Sequence, residues 1–98
     1  MASLFNYYLC LSETIRTTRK RAAISQMVLA ERAGVTRRFI QELENGRSDV
    51  SLQTLLRLSA AMETTVSDVC RQLEDILERG PQEPSRRQGR PKKTRSKP

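Results

Sequence analysis

The sequence predicts an all-α fold of five helices followed by a disordered basic tail. Apolar residues recur at helical spacing through residues 11–79, and serine or threonine stands where helices would begin. The 98 residues are 37% apolar and 4% aromatic, which suits one small helical domain with a modest core. We therefore divide the chain into an apolar N-terminal extension (residues 1–10), a folded domain (11–79) and a tail (80–98).

The N-terminal extension is apolar but lacks the basic start and small-residue cleavage site of a secretory signal. It either packs on the domain or contacts a second subunit. The first helix is expected from Ser12, a favourable N-cap, to Arg21. Its inner face carries Leu11, Ile15, Thr18 and Ala22.

Residues 25–46 read as two short helices separated by one glycine. Ser25 caps the first of them, Gly34 interrupts the apolar period, and Thr36 caps the second. A helix pair joined by a tight turn containing glycine is typical of a helix-turn-helix, whose second helix lies in the major groove of DNA. In that helix one face is apolar and is expected to be buried; it carries Phe39, Ile40 and Leu43.

The opposite face of the second helix is polar and begins with two arginines, Arg37 and Arg38. A guanidinium group can pair with two acceptors of guanine at once, and the N-terminal end of a helix favours nearby phosphate. Arginines on a solvated helix face are also ordinary, so charge alone leaves a plain helical hairpin as the alternative. The spacing of the neighbouring residues decides between the two.

That spacing resembles the helix-turn-helix family of lambdoid phage repressors, Cro-like regulators and xenobiotic-response-element-type regulators. The resemblance covers roughly residues 11–73. Its motifs are an LA pair before a turn glycine, a closing I-x-x-(I/L)-E-x-G, and I-x-x-x-R in the first helix. The matching residues are Leu29, Ala30, Gly34, Val35, Ile40, Leu43, Glu44, Gly46, Ile15, Arg19, Ser51, Leu52 and Leu55.

The resemblance implies an arrangement for the DNA site. Base contacts are expected from Arg37, Arg38, Gln41 and Glu42, and backbone contacts from Gln26, Thr36, Asn45 and Arg47. Gln26 is included because the family places a glutamine at the start of the second helix against the DNA backbone. The family also implies a largely buried ion pair between Arg19 and Glu44, which supports fold specificity more reliably than net stability.

The fourth helix is expected from Ser51 to Met62, with a buried face of Leu52, Leu55, Leu56 and either Leu58 or Ser59. The family usually ends this helix with a glycine. Here the corresponding residue is Glu63, so we expect the helix to end by a different turn.

Thr65 is expected to cap the fifth helix, whose apolar stripe is longer than closing the domain requires. Its last turns are predicted to bury against a partner subunit, through Leu73, Ile76 and Leu77. The alternative is an amphipathic helix end that protrudes into solvent.

Charge is concentrated in the tail. Residues 1–79 carry 11 basic and 10 acidic side chains, whereas residues 80–98 carry 7 and 1. The tail has no apolar aliphatic or aromatic residue, so it is expected to be disordered and to bind DNA as a cation. Residues 89–92, Gly-Arg-Pro-Lys, partly resemble the minor-groove arm called an AT-hook, the alternative being a nonspecific contact. The candidate tail contacts are Arg87, Arg90, Lys92 and Lys93.

Composition argues against several other classes of protein. The chain has no histidine, and its two cysteines, Cys10 and Cys70, are too few and too distant for a structural zinc site. We see no phosphate loop or nucleophile motif, so no metal, cofactor or enzyme activity is expected. No segment is long and apolar enough to span a membrane. The net charge of +7 indicates a polyanionic partner.

These observations predict a cytoplasmic, sequence-specific transcriptional regulator, a repressor that binds a pseudo-palindromic operator on double-stranded DNA as a homodimer. Residues 35–58 also resemble the HipB-type antitoxins. That resemblance implies the alternative function: neutralising a kinase-like toxin protein and autoregulating the shared operon. The sequence leaves this choice open.

Overall fold

The computed structural model describes residues 6–81, and these residues form five α-helices and no strand. The helices are α1 (Tyr7–Arg21), α2 (Gln26–Ala33), α3 (Arg37–Glu44), α4 (Leu52–Ala61) and α5 (Val66–Arg79). The predicted all-α class with five helices is confirmed. Residues 1–5 and the predicted tail contacts at 87–93 lie outside the described residues.

Each helix from α2 to α5 begins at a serine or threonine N-cap. In every case the side-chain hydroxyl accepts a hydrogen bond from the backbone N–H three residues later, which satisfies one of the donors left open at a helix start. The four N-caps are Ser25, Thr36, Ser51 and Thr65. The capping pattern in the sequence therefore located these four helix starts.

The predicted start of α1 at Ser12 is wrong, because α1 begins at Tyr7 with no side-chain cap. Ser12 is buried inside the helix, where its hydroxyl donates to the carbonyl of Leu9 at 2.8 Å. The early turns of α1 also bury Cys10 completely. Packing of an apolar face contributes more to helix stability than a favourable cap does, and residues 7–10 accordingly belong to the domain.

The core contains buried side chains from all five helices. Helix α1 packs against α3 and α5, while α2 packs against α3 and α4. The central cluster consists of Leu11, Ile15, Leu29, Ala30, Ala33, Ile40, Leu43, Leu55, Leu58, Ala61, Met62 and Val69. Its arrangement leaves the outer faces of α2 and α3 open to solvent.

The prediction that Leu52 and Leu56 are buried is wrong, since they are 66% and 54% exposed. At about 100° per residue, the buried face of α4 is centred between Leu55 and Leu58. Leu52 and Leu56 fall on the flank of that face. The sequence period alone allowed either register.

The predicted change of turn after α4 is also wrong, because Glu63 adopts the left-handed conformation with φ +60°. Its N–H donates to the carbonyl of Ala60 at 3.0 Å, and the N–H of Thr64 donates to that of Ser59 at 2.9 Å. These are the two hydrogen bonds that end a helix when a glycine takes the left-handed position. A non-glycine residue therefore occupies a turn in which the left-handed backbone is strained.

We expect Glu63→Gly to stabilise the domain by about 0.5 to 1 kcal/mol. The left-handed conformation costs a non-glycine residue about 1–2 kcal/mol, and the added freedom of glycine in the unfolded chain offsets part of that gain. Urea unfolding of Glu63→Gly and of Glu63→Ala measures the effect, because alanine removes the carboxylate but keeps the strain. Equal stability of the two variants would contradict the explanation.

Candidate nucleic-acid interface

The turn between α2 and α3 depends on the backbone of Gly34. Its φ is +73°, and a Cβ atom there would meet nothing within 4 Å, so conformation rather than space calls for glycine. The next N–H, that of Val35, donates to the carbonyl of Ala30 at 3.0 Å. Thr36 then caps α3 by accepting from the N–H of Phe39 at 3.0 Å. This geometry fixes where α3 begins.

Helix α3 is anchored by its apolar face. Ile40 and Leu43 are fully buried, and Phe39 packs half-buried against the same core. On the other side, Arg37 and Arg38 are exposed. The helix consequently presents two guanidinium groups to solvent at its N-terminal end, where the helix dipole is positive.

The remaining predicted base contacts, Gln41 and Glu42, lie about one turn further along α3 and are half-buried. Together with the arginines they extend over the exposed side of two helical turns. These turns form the N-terminal part of the helix, which is the part of a recognition helix that contacts base edges in the major groove.

The C-terminal end of α3 is held by an ion pair buried between helices. The guanidinium group of Arg19 on α1 contacts both carboxylate oxygens of Glu44, with Nε–Oε2 at 2.6 Å and Nη2–Oε1 at 3.1 Å. The side chains are only 12% and 5% exposed. Such a two-point contact fixes orientation as well as distance.

Three further hydrogen bonds join this ion pair to its surroundings, and one of them runs from Nη1 of Arg19 to the carbonyl of Ile24 at 2.9 Å. Gln26, the first residue of α2, donates from Nε2 to Oε1 of Glu44 at 3.1 Å. Arg16 donates from Nη1 to the backbone carbonyl of Glu44, also at 3.1 Å. Side chains of α1 and α2 therefore position the end of α3 jointly.

The residues that are predicted to contact the DNA backbone lie at both ends of α3 and at the start of α2. Asn45 and Arg47 are exposed in the loop after α3, and Thr36 is exposed before it. Gln26 is half-buried, and one of its amide hydrogens is directed to Glu44. The structure thus assigns Gln26 an internal contact that the sequence did not indicate.

The predicted subunit contacts on α5 differ in burial. Ile76 is only 5% exposed within the chain itself, whereas Leu73 and Leu77 are half-buried. Leu73 also packs against the central cluster. Ile76 is therefore a core residue of the protomer, and Leu77 is the most available of the three for contact with another molecule.

Sequence reasoning missed a long-range contact made by the first residue of α1. The hydroxyl of Tyr7 donates to Oδ1 of Asp49, in the loop after α3, at 2.6 Å. Burial raises the pKa of Tyr7 above its ordinary value, and this hydrogen bond is the second largest cause of the same shift. The spacing of Tyr7, Leu11 and Ile15 at i, i+4 and i+8 was a signal that could have extended α1.

Within residues 6–81, no three His, Cys, Asp or Glu side chains are grouped so that they could hold a metal ion. Among the helices of this part of the chain, none has the length and hydropathy to cross a membrane.

A helix-turn-helix family model, HTH_3, matches residues 15–69 of the chain. The match spans more than half of the sequence and contains α2, the turn and α3. The chain belongs to this helix-turn-helix family. With the exposed arginines at the start of α3, family membership defines the chain as a DNA-binding transcriptional regulator.

Solved structures of bacterial regulators have a similar fold. Two structures of the clp gene regulator ClgR from Corynebacterium glutamicum match with TM-scores of 0.70 and 0.67 and sequence identities of 26% and 28%. These matches cover 74% and 70% of this chain, and 77% and 88% of the ClgR chains. No sequence among the curated proteins matches.

A third similar structure is the restriction-modification controller protein C.AhdI from Aeromonas hydrophila. Its TM-score is 0.61 at 26% identity, and the match covers 63% of this chain and 94% of that one. The fold around the helix-turn-helix is therefore shared with proteins that are described as a regulator and as a controller.

Proposed function

We propose that the protein is a dimeric transcriptional repressor that recognises a pseudo-palindromic operator through α3. The observation that carries this proposal is the exposure of Arg37 and Arg38 at the start of a helix whose opposite face packs on the core through the fully buried Ile40 and Leu43. The helix is oriented by the buried contact between Arg19 and Glu44. An anchored helix holds its side chains in one register against a groove, which base recognition requires.

In this proposal Arg37 and Arg38 read bases, because each guanidinium group can donate to O6 and N7 of guanine together. Gln41 and Glu42 extend the reading surface to the following turn. Gln can pair with adenine and Glu can accept from cytosine, so this set can distinguish more than one base pair.

Phosphate contacts would flank the reading helix. Arg47 contributes a charge in the loop after α3, and Asn45 and Thr36 contribute donors at the two ends of the helix. Gln26 retains one amide hydrogen for the backbone beside the hydrogen that it donates to Glu44. Contacts of this kind fix the register of a protein on DNA without reading its sequence.

The experiment that tests this function is selection of binding sites from random double-stranded DNA by the full-length protein. We expect enrichment of one site with two inverted halves spaced by about one helical turn. Binding without enrichment of any sequence would contradict sequence-specific regulation. Enrichment of a single unrepeated half would contradict the dimer but leave base recognition intact.

The dimer is proposed to form through the outer edge of α5, where Leu77 is half-buried. We expect Leu77→Asp to convert the dimer to a monomer, because an interface cannot bury an unpaired carboxylate. Sedimentation at tens of micromolar measures this, with Ser67→Asp on an exposed position of α5 as the control. A dimer that persists in Leu77→Asp would place the interface elsewhere.

The tail is proposed to strengthen binding to any DNA sequence. Deleting residues 82–98 removes seven basic side chains. Affinity should fall and its dependence on salt should become shallower, because fewer counterions are released from the phosphates. Thermal unfolding should be unchanged, since the tail has no apolar side chain for a core.

Operators with A/T-rich or G/C-rich flanks separate the two proposed modes of the tail. An AT-hook contact through Arg90 predicts a larger loss on A/T-rich flanks, whose minor grooves are narrow and negative. Equal losses on both flanks would reject the minor-groove arm, and no loss on either would reject a role of the tail in DNA binding. The antitoxin alternative stays a hypothesis, since neither ClgR nor C.AhdI is described as an antitoxin.

A further inference from the structure

We propose that Tyr7, the first residue of α1, is a positioning residue for DNA binding. It holds in place the loop between α3 and α4, residues 45–51, which is proposed to contact phosphate. This inference rests on the proposed function, because it assigns Tyr7 a part in presenting that loop to DNA. Tyr7 itself would not contact DNA. It acts through Asp49, to which its hydroxyl donates a hydrogen bond at 2.6 Å.

The first step is the polar contact. Oδ1 of Asp49 accepts from Tyr7 and also from the backbone N–H of Val50, at 2.7 Å. The carboxylate is therefore held between the start of α1 and its own loop. A hydrogen bond to an ionised acceptor is stronger and more directional than one between neutral groups.

The second step is a close approach of the loop backbone to α1 at Gly46, three residues before Asp49. A Cβ atom at Gly46 would lie 3.2 Å from Cδ2 of Leu9 and 3.7 Å from the carbonyl oxygen of Tyr8. The loop backbone thus lies directly against the first turns of α1. Gly46 also has φ +76°, so its conformation and its contacts both restrict this position.

The third step connects the loop to α3. The N–H of Arg47 donates to the carbonyl of Glu42 at 2.9 Å, so its backbone continues directly from the recognition helix. The loop is therefore held on one side by α3 and on the other by α1. Arg47, whose exposed side chain is proposed to meet a phosphate, makes the attachment to α3 and lies two residues before Asp49, which makes the attachment to α1.

The fourth step concerns charge. Asp49 is exposed and lies two residues from Arg47, so its carboxylate is close to the proposed path of the DNA backbone. An anion there repels phosphate at a short distance. By accepting the hydrogen bond from Tyr7, Asp49 keeps its charge directed to α1, and Arg47 is left to face the phosphate.

The test compares Tyr7→Phe with Tyr8→Phe in the full-length protein, using the duplex that the wild type enriches from random DNA. Both variants keep the aromatic ring, and the two rings pack edge to face at 5.3 Å between centroids. We expect Tyr7→Phe to lower affinity by roughly three- to tenfold, the range for one net hydrogen bond. Tyr8→Phe should bind as the wild type does.

A double-mutant cycle with Asp49→Ala distinguishes positioning from general stability. If Tyr7 acts through the hydrogen bond to Asp49, Tyr7→Phe should have little effect on affinity in the Asp49→Ala background, which has no acceptor. The base preference of Tyr7→Phe should equal that of the wild type, because only contacts with the DNA backbone change. An equal loss of affinity in both backgrounds, or a loss that tracks melting temperature alone, would overturn the proposal.

The outcomes also separate this inference from the function on which it rests. If the wild type selects a site and α3 variants lose their base preference, but Tyr7→Phe binds as the wild type does, only the role of Tyr7 is rejected. If the wild type enriches no DNA sequence at all, both the function and this role are rejected.

Discussion

Replacing Glu44 with alanine is expected to destabilise the domain by about 3–5 kcal/mol, which removes most of the stability of a chain this small. The variant leaves the guanidinium group of Arg19 buried, at 12% exposure, without its carboxylate. It also removes the acceptor for Gln26. Urea unfolding followed by circular dichroism measures the loss, and partial unfolding at 37 °C is the expected result.

Two comparisons define the cause of that loss. Glu42→Ala, on a half-buried residue of the same helix, should cost much less. Replacing the pair together, as Arg19→Met with Glu44→Leu, should recover part of the stability, because the cost comes from a stranded charge rather than from a missing attraction. A loss below about 1 kcal/mol for Glu44→Ala would show that water reaches the pair and compensates for it.

The second large effect is expected on DNA binding. Arg37→Ala and Arg38→Ala should each cost about 1–3 kcal/mol in affinity for the selected site and relax the preference at particular base positions. Both side chains are exposed, so the melting temperature should hardly change. Site selection with each variant, beside a salt titration, measures both the local and the general effect.

Arg57→Ala is the matched control for these variants, since Arg57 is an exposed arginine on α4 and not on the helix that is proposed to read bases. It should leave the selected sequence unchanged. If Arg37→Ala and Arg38→Ala also keep the wild-type base preference, and lose affinity equally on all sequences, the two arginines contact phosphate and do not read bases.

Local signals in the sequence predicted much of the fold. Ser25, Thr36, Ser51 and Thr65 located four helix starts because an N-cap acts on a backbone donor only three residues away. Residues 25–46 predicted the helix-turn-helix because their apolar period breaks at a glycine, Gly34, which the structure places in the left-handed conformation. Both signals are short-range and need no knowledge of the partner helices.

The errors occurred where distant packing decides the outcome. Ser12 looked like a cap, but α1 begins at Tyr7 because the turn before Ser12 is buried in the core. Leu56 looked buried, but the helices that meet α4 leave that flank open. The period of a helix gives its apolar face but not which part of that face each neighbour covers.

The candidate DNA site shows the same difference between local and distant signals. The exposed arginines of α3 follow from its amphipathic pattern, which is local. The contact of Tyr7 with Asp49 joins residues 42 apart, and no spacing rule relates the two positions. Outside this site, the left-handed backbone of Glu63 could not be predicted either. The hydrogen bonds of the turn after α4 outweigh the preference for glycine at that position.

The measurement that tests the role of α3 most directly is amide chemical-shift mapping of the full-length protein on addition of its selected duplex. We predict the largest changes at Arg37, Arg38 and Gln41, with further changes at the start of α2 and in residues 45–51. The exposed flank of α4 at Leu52 and Leu56 should change little. Changes confined to residues 82–98, with α3 unaffected, would contradict α3 as the reader of the operator.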